Sequence, residues 1–520
     1  MYTPQLALIY SRASIGIQAP LVTVETHLSP GLPSFSIVGL PEAAIKESKD
    51  RVRSALINSG FEFPTARIVI NLAPADLPKD GGRFDLPIAL SILAASGQLP
   101  IKSLAQYEFA GELALSGHLR PISAVLPLAI ATQEQGRTLF IPEDNTEEAC
   151  LIHTCTVIGA KTLQAVCNHF TDKTKRIEPT ISKAFTAKKE DSAPTFEDLS
   201  DIYGQTQAKR ALEIAAAGRH SLLLIGPPGS GKTLLASRLP RLLPPLDTNA
   251  SLAVMALHSL KDPGQAVMDL WKKRPFRAPH HTATPAALLG GGNRIKPGEI
   301  SLAHHGVLFL DELPEFQRHV LETLREPLEA KMVTIARANQ HLVFPADFQL
   351  IAAMNPCPCG YLGQIKPVCR CTQEQVNRYR GKISGPLLDR IDMYINVPAL
   401  PQKELLSLIT EKRGTETSSE QPLTSHLQER ITKAHDIQMT RNGSANAALN
   451  PTEIKTHCGL DKDSQGLFLR SIEKWGLSAR ATHRILKVAR TIADLSQAKN
   501  ISSIHLSEAL QYRSIFNMAS

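Results

Sequence analysis

One run of eight residues has the composition and spacing to bind the phosphates of a nucleotide. Glycines let backbone N–H groups approach phosphate oxygens closely, and a lysine and a threonine at the end of the run can reach the β- and γ-phosphates and Mg²⁺. The run follows the pattern G-x-x-x-x-G-K-[ST] and therefore predicts ATP and Mg²⁺ as cofactors. Its residues are Gly226, Pro227, Pro228, Gly229, Ser230, Gly231, Lys232 and Thr233.

Two carboxylates could complete a site for ATP hydrolysis. Asp311 and Glu312 directly follow the apolar run 307–310. We expect Asp311 to hold Mg²⁺, directly or through water, and Glu312 to polarise the attacking water as a general base. A further apolar run, 348–354, is followed by Asn355. The amide of Asn355 could orient the water, or the residue could simply open an Asn-Pro turn.

Four cysteines form a separate candidate site with the spacing C-x-C-x₉-C-x-C. Four thiolates in so short a span suit a tetrahedral structural Zn²⁺, although C-x₂-C pairs are the commoner zinc spacing. A redox pair and a metal-free loop are the alternatives. The cluster follows Asn355 and precedes Arg390, to which the resemblance described below assigns a catalytic role, so we expect the cluster to act as a rigid clip between catalytic elements. The four residues are Cys357, Cys359, Cys369 and Cys371.

Predicted strands and helices surround these residues in an order typical of an α/β protein. The apolar run 222–225 precedes the phosphate-binding loop, and leucines at helical spacing follow it. Strand-like runs alternate with amphipathic helices up to about residue 400, which predicts a parallel sheet, and helical patterns continue beyond it. The polar segment 171–195 has no apolar period and predicts a linker. The chain therefore divides into 1–170, 171–195, 196–400 and 401–520.

Composition and charge indicate the kind of partner and the cellular compartment that we expect for this chain. The 520-residue chain carries a formal net charge of +8, with −3 in residues 1–170 and +9 in residues 196–520. This asymmetry favours a polyanionic partner besides ATP, and an ordinary basic surface is the alternative. We find no apolar run of the roughly 20 residues that a membrane span needs and no signal peptide. With eight cysteines in so long a chain, we expect a cytoplasmic protein without a disulfide framework.

The order of these motifs resembles that of an AAA+ ATPase, and more closely that of the magnesium-chelatase-like proteins of the ComM/YifB family. The resemblance covers nearly the whole chain. It implies an AAA+ α/β/α core at 196–400 that contains the cysteine loop, followed by a helical lid at 401–520. The stretches that carry it, besides the loop and the acidic pair, are 276–282, 290–293, 383–392 and 476–480.

The resemblance also implies further catalytic residues. Asn355 matches the first sensor, Arg390 matches an arginine finger that reaches the neighbouring subunit's site, and Arg480 matches the second sensor of the lid. A guanidinium stabilises charge on the transferred phosphoryl group, so these assignments agree with the chemistry. A finger that acts between subunits requires an oligomer, and the family implies a hexameric ring. For each arginine, a surface salt bridge is the alternative.

Two loops resemble insertions that face the pore of such rings and bind DNA. Two β-prone runs flank residues 337–340 and predict a hairpin with Arg337 near its tip. A glycine-rich segment, 290–298, contains Arg294 and Lys296. Basic side chains of this kind bind phosphates without sequence selectivity. The alternative for all three residues is a solvated surface.

Residues 1–170 resemble a Lon-protease-like α/β domain at two stretches, 71–83 and 111–122. Arg83 occupies the place of the protease's serine, and Leu126 occupies the place of its lysine. A serine–lysine dyad needs both a nucleophile and a base, so we predict a degenerate domain without peptidase activity. Lys79, Arg83 and Arg120 could face DNA, with surface salt bridges as the alternative.

The sequence as a whole favours an ATP-driven DNA motor. The resemblance implies a hexameric helicase that promotes branch migration when incoming DNA recombines during natural transformation. The alternative is a protein-remodelling ATPase akin to the motor subunit of magnesium chelatase. Against the alternative, the chain has a further N-terminal domain and no C-terminal metal-adhesion-type domain.

Overall fold

The computed structural model describes residues 6–39, 42–79, 81–180, 198–261, 265–292, 295–337, 340–364, 366–399 and 423–517. Within these ranges the chain forms a mixed α/β structure with two sheets and a group of C-terminal helices. The α/β prediction is confirmed. Most of the predicted linker, 181–195, lies outside the described residues, as does the boundary predicted at 400/401.

The first sheet has seven strands in the order β3-β4-β2-β1-β5-β8-β9. Strand β2 pairs antiparallel with β1 and β4, and the other neighbours pair parallel. Its elements are β1 (Leu6–Arg12), β2 (Leu21–Ser29), β3 (Ser34–Val38), α1 (Glu42–Asn58), β4 (Arg67–Ala73), α2 (Asp85–Ala95), α3 (Ile101–Leu104), β5 (Tyr107–Phe109), the separate pair β6 (Glu112–Leu113) and β7 (Leu119–Arg120), α4 (Val125–Glu134), β8 (Thr138–Pro142), α5 (Thr146–Ala149), β9 (Val157–Ala160) and α6 (Leu163–Thr171).

A buried ionic cluster joins the two halves of this sheet. Glu108 of β5 is fully buried and accepts hydrogen bonds from Arg12 of β1 at 2.5 Å and from Arg137 at 3.0 Å. Buried charges are stable only when they are paired and hydrogen-bonded, which Glu108 achieves with both arginines and with Thr132. The cluster therefore fixes β1 beside β5.

The second sheet is parallel throughout, in the order β11-β14-β17-β10-β18. Two short hairpins and several helices are inserted between its strands. The elements are α7 (Thr206–Gly218), β10 (Leu222–Ile225), α8 (Lys232–Leu242), α9 (Thr248–Ser259), α10 (Gln265–Met268), β11 (Phe276–Arg277), α11 (Pro285–Leu289), β12 (Gly290–Gly291), β13 (Lys296–Pro297), α12 (Glu299–Leu302), β14 (Val307–Leu310), α13 (Arg318–Glu322), α14 (Arg325–Ala330), β15 (Met332–Arg337), β16 (Gln340–Pro345), β17 (Gln349–Met354), α15 (Gln373–Arg380), α16 (Gly385–Leu388) and β18 (Met393–Asn396).

Strands β10, β14 and β17 are buried along their whole length. Alternate residues enter two different cores: Leu222 and Leu224 face one, and Leu223 and Ile225 face the other. The strands of a parallel sheet that is covered on both faces are continuous apolar runs. The strands could be predicted from the sequence because they have this pattern.

The described residues after β18 form five helices and one 3₁₀ turn. Helix α20 begins after Ser478, whose hydroxyl accepts from the backbone N–H of Ala481, and Ile485, Val488 and Ile492 are buried as their spacing predicts. These side chains share a core with β10 and α7. The helices are α17 (Leu423–Asn442), α18 (Pro451–His457), α19 (Lys462–Trp475), α20 (Ala479–Leu495) and α21 (Ser503–Asn517).

A buried carboxylate ties these helices to the amino end of the sheet. Asp392 accepts hydrogen bonds from the backbone N–H of Ser221 at 2.9 Å and from the Ser221 hydroxyl, and it pairs with Arg484 of α20. Burial raises the pKa of Asp392, but Arg484 and His220 outweigh it and hold the pKa below its usual range. The carboxylate therefore remains charged at neutral pH.

The N-terminal sheet region packs directly on the second sheet region. Val125 and Leu128 of α4 share a core with Met255 of α9 and Met268 of α10. The backbone N–H of Ala124 donates to the carbonyl oxygen of Ser259 at 3.3 Å. None of the described helices combines the length and the apolar character that a membrane-crossing helix needs.

Candidate ATP site

The phosphate-binding loop joins the carboxyl end of β10 to the amino end of α8. Backbone N–H groups at a helix amino end attract anions, and here the loop adds several more. Gly231 has φ +87°, a conformation that favours glycine. Gly226 has no space for a side chain, because a β-carbon would collide with the carbonyl oxygen of Val397. The loop therefore has the form expected of a phosphate cradle, and phosphate binding itself stays a prediction.

Lys232 lies inside this cradle and is 8% exposed. Its ammonium donates to the carbonyl oxygens of Gly226 and Pro227 at 2.8 Å each and to Oδ1 of Asn355 at 3.2 Å. Burial lowers the pKa of Lys232, and the nearby carboxylates of Asp311 and Glu312 oppose this effect. The ammonium is thus positioned at the point where the loop, β17 and the acidic pair meet.

The acidic pair follows β14, at the same edge of the sheet. The Thr233 hydroxyl donates to Oδ2 of Asp311 at 2.7 Å, so the two predicted Mg²⁺ ligands already lie together. Glu312 has φ +51°, unusual for a residue with a side chain, and its backbone N–H donates to Oδ1 of Asp311 at 2.9 Å. The Glu312 side chain is half-exposed.

His281 contacts the predicted general base. Its Nδ1 lies 3.4 Å from Oε2 of Glu312. His281 belongs to the segment that leads from β11 to the hairpin β12–β13. From the sequence alone, His281 has no assigned role beyond its place in a matching stretch. Arg277, at the start of that segment, forms a bidentate ion pair at 2.5 and 2.8 Å with Glu299, which follows the hairpin.

Arg390 and Arg480 lie away from this site. Arg390 stands next to Ser221, which precedes β10, whereas the phosphate-binding loop follows β10. The four residues of β10 span about 13 Å, which separates Ser221 from the loop. Oε1 of Glu329 lies 2.7 Å from Nη2 of Arg390 and 3.6 Å from Nη2 of Arg480. The structure therefore brings the two arginines together at the sheet edge opposite their own phosphate-binding loop.

The four cysteines of the predicted zinc loop converge. Their sulfur atoms all lie within 4.8 Å of one another, and those of Cys357, Cys359 and Cys369 are separated by 3.4–3.7 Å. A tetrahedron with zinc–sulfur bonds of about 2.3 Å has edges close to this length. Backbone N–H groups of Tyr361 and Arg370 lower the pKa of the Cys359 thiol to about 6. The donor set and its geometry fit Zn²⁺.

The other four cysteines, Cys150, Cys155, Cys167 and Cys458, are buried, as expected for core residues.

The structure describes the positions of two of the three predicted DNA-binding residues. Arg337 ends β15 and pairs in register with Gln340 of β16, so the predicted hairpin exists. Lys296 is exposed at the start of β13, and Arg294 lies outside the described residues. The two hairpins lie close together, because a β-carbon at Gly290 of β12 would lie 2.9 Å from Cδ1 of Ile335 of β15.

Two basic residues of the N-terminal region are buried, contrary to both sequence alternatives. Lys79 is 1% exposed and donates to the carbonyl oxygens of Pro74 and Leu77. Arg83 is 6% exposed and donates to the carbonyl oxygen of Ser123 at 2.8 Å, near the buried Leu126. Lys79 and Arg83 therefore stabilise the interior through hydrogen bonds to backbone carbonyl oxygens. Their burial results from tertiary packing, which the local sequence does not show. Arg120 does form the expected surface ion pair, with Glu112 at 3.6 Å.

Comparisons with known proteins agree with this arrangement. Family models of magnesium chelatase subunit ChlI match residues 24–145 and 198–405, and the model of its C-terminal part matches 422–513. Competence protein ComM of Haemophilus influenzae is 51% identical over 99% of this chain and 98% of its own length. The uncharacterized protein YifB of Escherichia coli is 46% identical over 98% of this chain and 97% of its own.

A more distant relative matches only part of the chain. Magnesium-chelatase subunit ChlI of Cyanophora paradoxa is 24% identical over 44% of this chain and 65% of its own length. The full-length matches, unlike this partial one, include the N-terminal sheet, the ATP site and the C-terminal helices together. The chain therefore belongs to the ComM/YifB family of magnesium-chelatase-like proteins.

Proposed function

We propose that this protein is an AAA+ ATPase that works as an ATP-driven DNA motor. The observation that carries the ATPase part is the meeting of Lys232, Thr233, Asp311 and Asn355 at one edge of a parallel sheet. The full-length similarity to a protein named for competence supports a role in natural transformation. The motor would promote branch migration while incoming DNA recombines.

Hydrolysis follows from the chemistry of these side chains. Lys232 and the loop N–H groups hold the β- and γ-phosphates. Thr233 and Asp311 would hold Mg²⁺, which neutralises phosphate charge when bound. Glu312 takes a proton from the attacking water, and Asn355 orients that water beside Lys232. The sheet aligns the acidic and amide residues, because they follow neighbouring strands. The Lys232 ammonium exchanges the carbonyl oxygens of Gly226 and Pro227 for phosphate oxygens when ATP binds.

The site also needs residues from a second subunit. Arg390 and Arg480 lie at the opposite sheet edge, so in our proposal they serve the neighbour's ATP rather than their own. Each guanidinium would stabilise charge on the transferred phosphoryl group. An arrangement in which every subunit gives arginines to the next is head-to-tail, and it forms a ring when the rotation between subunits closes. We propose a hexameric ring.

DNA would pass through this ring against the two hairpins. Arg337, Lys296 and Arg294 would contact its phosphates, and the net charge of +9 in residues 196–520 supports such binding. Residues 196–400 then form the AAA+ core and 401–520 its helical lid. Residues 1–170, a Lon-protease-like domain without a catalytic dyad, would act as a scaffold, joined by the linker 171–195. We place this motor in the cytoplasm, with Zn²⁺ stabilising the cysteine loop.

The test is the ATPase rate with single-stranded, duplex and four-way-junction DNA at low and moderate salt. We expect salt-sensitive stimulation by DNA, which Arg337→Ala reduces strongly while DNA-free hydrolysis remains, and which Glu312→Gln abolishes together with hydrolysis. Arg378→Ala serves as a matched control, since its side chain is 79% exposed on α15. No stimulation by any DNA, with hydrolysis dependent on Glu312, would instead favour a protein-remodelling ATPase.

A further inference from the structure

Glu329 is the one acidic side chain among the described residues that pairs with both Arg390 and Arg480. Its Oε1 lies 2.7 Å from Nη2 of Arg390 and 3.6 Å from Nη2 of Arg480. Glu329 is about half-exposed at 49%, so the pairing takes place at the protein surface. A carboxylate here competes with any phosphate that approaches the two guanidinium groups from outside.

Arg390 is turned inward by these contacts. Its side chain is only 6% exposed, its Nη1 donates to the carbonyl oxygen of Pro386 at 2.7 Å, and its Nη2 faces Glu329. Its Nε is buried and makes no hydrogen bond with any described residue. The guanidinium is therefore buried, and both of its Nη atoms have partners on their own chain. It must leave Glu329 before it can reach a phosphate in a second subunit.

Glu329 is joined to the base of the hairpin β15–β16 by very little chain. It stands in the last turn of α14, which ends at Lys331 with φ +56°, and β15 starts at the next residue. The carbonyl oxygen of Lys331 accepts from the N–H of Ala346 at 2.8 Å, and its ammonium lies 3.3 Å from Asp347. These contacts clamp both hairpin strands to the end of α14, so a displacement of the hairpin moves Glu329.

We propose that Glu329 is a positioning residue that holds Arg390 and Arg480 on their own chain until DNA displaces the hairpin. The inference rests on the proposed function, because it assumes that the arginines serve a neighbour's ATP and that the hairpin contacts DNA. The inference adds a physical link between DNA contact at the hairpin and the release of the arginines toward the neighbour's ATP. Withdrawal of one carboxylate releases two guanidinium groups together, so that hydrolysis in one subunit follows DNA contact in the next.

The test is steady-state ATP hydrolysis by Glu329→Gln, with and without duplex DNA. Glutamine keeps the size of the side chain and removes its charge. We expect the DNA-free kcat to rise about tenfold, the factor expected for one charge-assisted hydrogen bond, with KM for ATP unchanged. The DNA-stimulated rate should stay at the wild-type value, so the stimulation ratio falls. Glu326→Gln, on the exposed side of the same helix, is the control and should resemble wild type.

Two further variants make the result decisive. Glu329→Asp retains the charge and should keep the low DNA-free rate. If Glu329→Gln does not fold, Glu329→Ala replaces it as the variant that removes the charge, and the same rise is expected. Arg390→Ala in the Glu329→Gln background should abolish the gain. An unchanged or lower DNA-free kcat in Glu329→Gln, with wild type stimulated by DNA and dependent on Arg390, would overturn the role of Glu329 alone. Absence of DNA stimulation or of Arg390 dependence in wild type would overturn the proposed motor as well.

Discussion

Gly360 of the cysteine loop packs against Pro228 of the phosphate-binding loop. Gly360 has φ +85°, and a β-carbon there would lie 2.6 Å from Cδ of Pro228 and 3.9 Å from Cγ of Asn355. The cysteine loop thus supports two parts of the ATP site from outside. This contact gives a physical basis for the expectation that the loop acts as a clip.

We therefore predict that Gly360→Ala weakens ATP binding. The new methyl group must displace Pro228, and an L-residue at this φ adds about 1 kcal/mol of strain. We expect KM for ATP to rise by about tenfold, measured by steady-state kinetics and by direct nucleotide binding. Gly363→Ala is the matched control, because Gly363 has the same φ of +85° but no atom within 4 Å of its β-carbon position. Equal effects at the two glycines would show that strain, rather than contact with Pro228, is responsible.

Removal of metal should affect the same site. We predict about one zinc per chain by elemental analysis of the purified protein, and none in Cys369→Ser. Because the four sulfur atoms enclose a single tetrahedral position, loss of one ligand should lower both the melting temperature and the ATPase rate. Cys458→Ala, which changes a buried cysteine outside the cluster, should keep its zinc. Full activity and stability in Cys369→Ser would refute the clip.

Asp392→Asn should destabilise the protein rather than alter its chemistry. The substitution removes the charge that faces Arg484 while leaving the partly buried guanidinium in place. Breaking a buried pair in this way costs about 3 kcal/mol. Chemical unfolding at pH 7 would measure the loss, with Asp389→Asn as the control from the same segment. A change below about 1 kcal/mol would mean that Asp392 does not tie the C-terminal helices to the sheet.

Stability should also depend on pH through His304. Burial, followed by repulsion from His305, lowers the pKa of His304 to about 3, and its Nδ1 accepts from the N–H of Asp347 at 3.0 Å. In the unfolded chain a histidine binds a proton near pH 6.5. Between these two values the unfolded state binds more protons, so the contribution of His304 is complete above about pH 6.5 and declines as the pH falls toward 3.

The variant His304→Asn separates this effect from other titrating groups. Asparagine keeps an acceptor near Nδ1 and cannot be protonated in this range. We expect a shallower fall in melting temperature from pH 7.5 to pH 5 than in wild type. His341→Asn, at an exposed histidine, should retain the wild-type slope. Identical slopes in all three proteins would rule out His304 as a source of acid sensitivity.

The sequence predicted the side chains at the carboxyl edge of the sheet because regular geometry determines their positions. The phosphate-binding loop, Asp311 and Asn355 each directly follow a buried parallel strand, and such strands end at a common edge. Their catalytic roles stay predictions. Glu329 and His281 could not be found in this way, since their contacts depend on how separate segments pack. The burial of Lys79 and Arg83 likewise arises from tertiary packing, which overrides the usual preference of lysine and arginine for the surface.

The contact between α4 and the pair α9 and α10 has a consequence for fragments of this protein. Val125 and Leu128 are completely buried against methionines that belong to the other sheet region. A fragment that begins after residue 196 would present Met255 and Met268 to water as part of a contiguous apolar patch, and patches of this kind cause aggregation. We therefore expect the half that contains the candidate ATP site to need the N-terminal half in order to remain soluble.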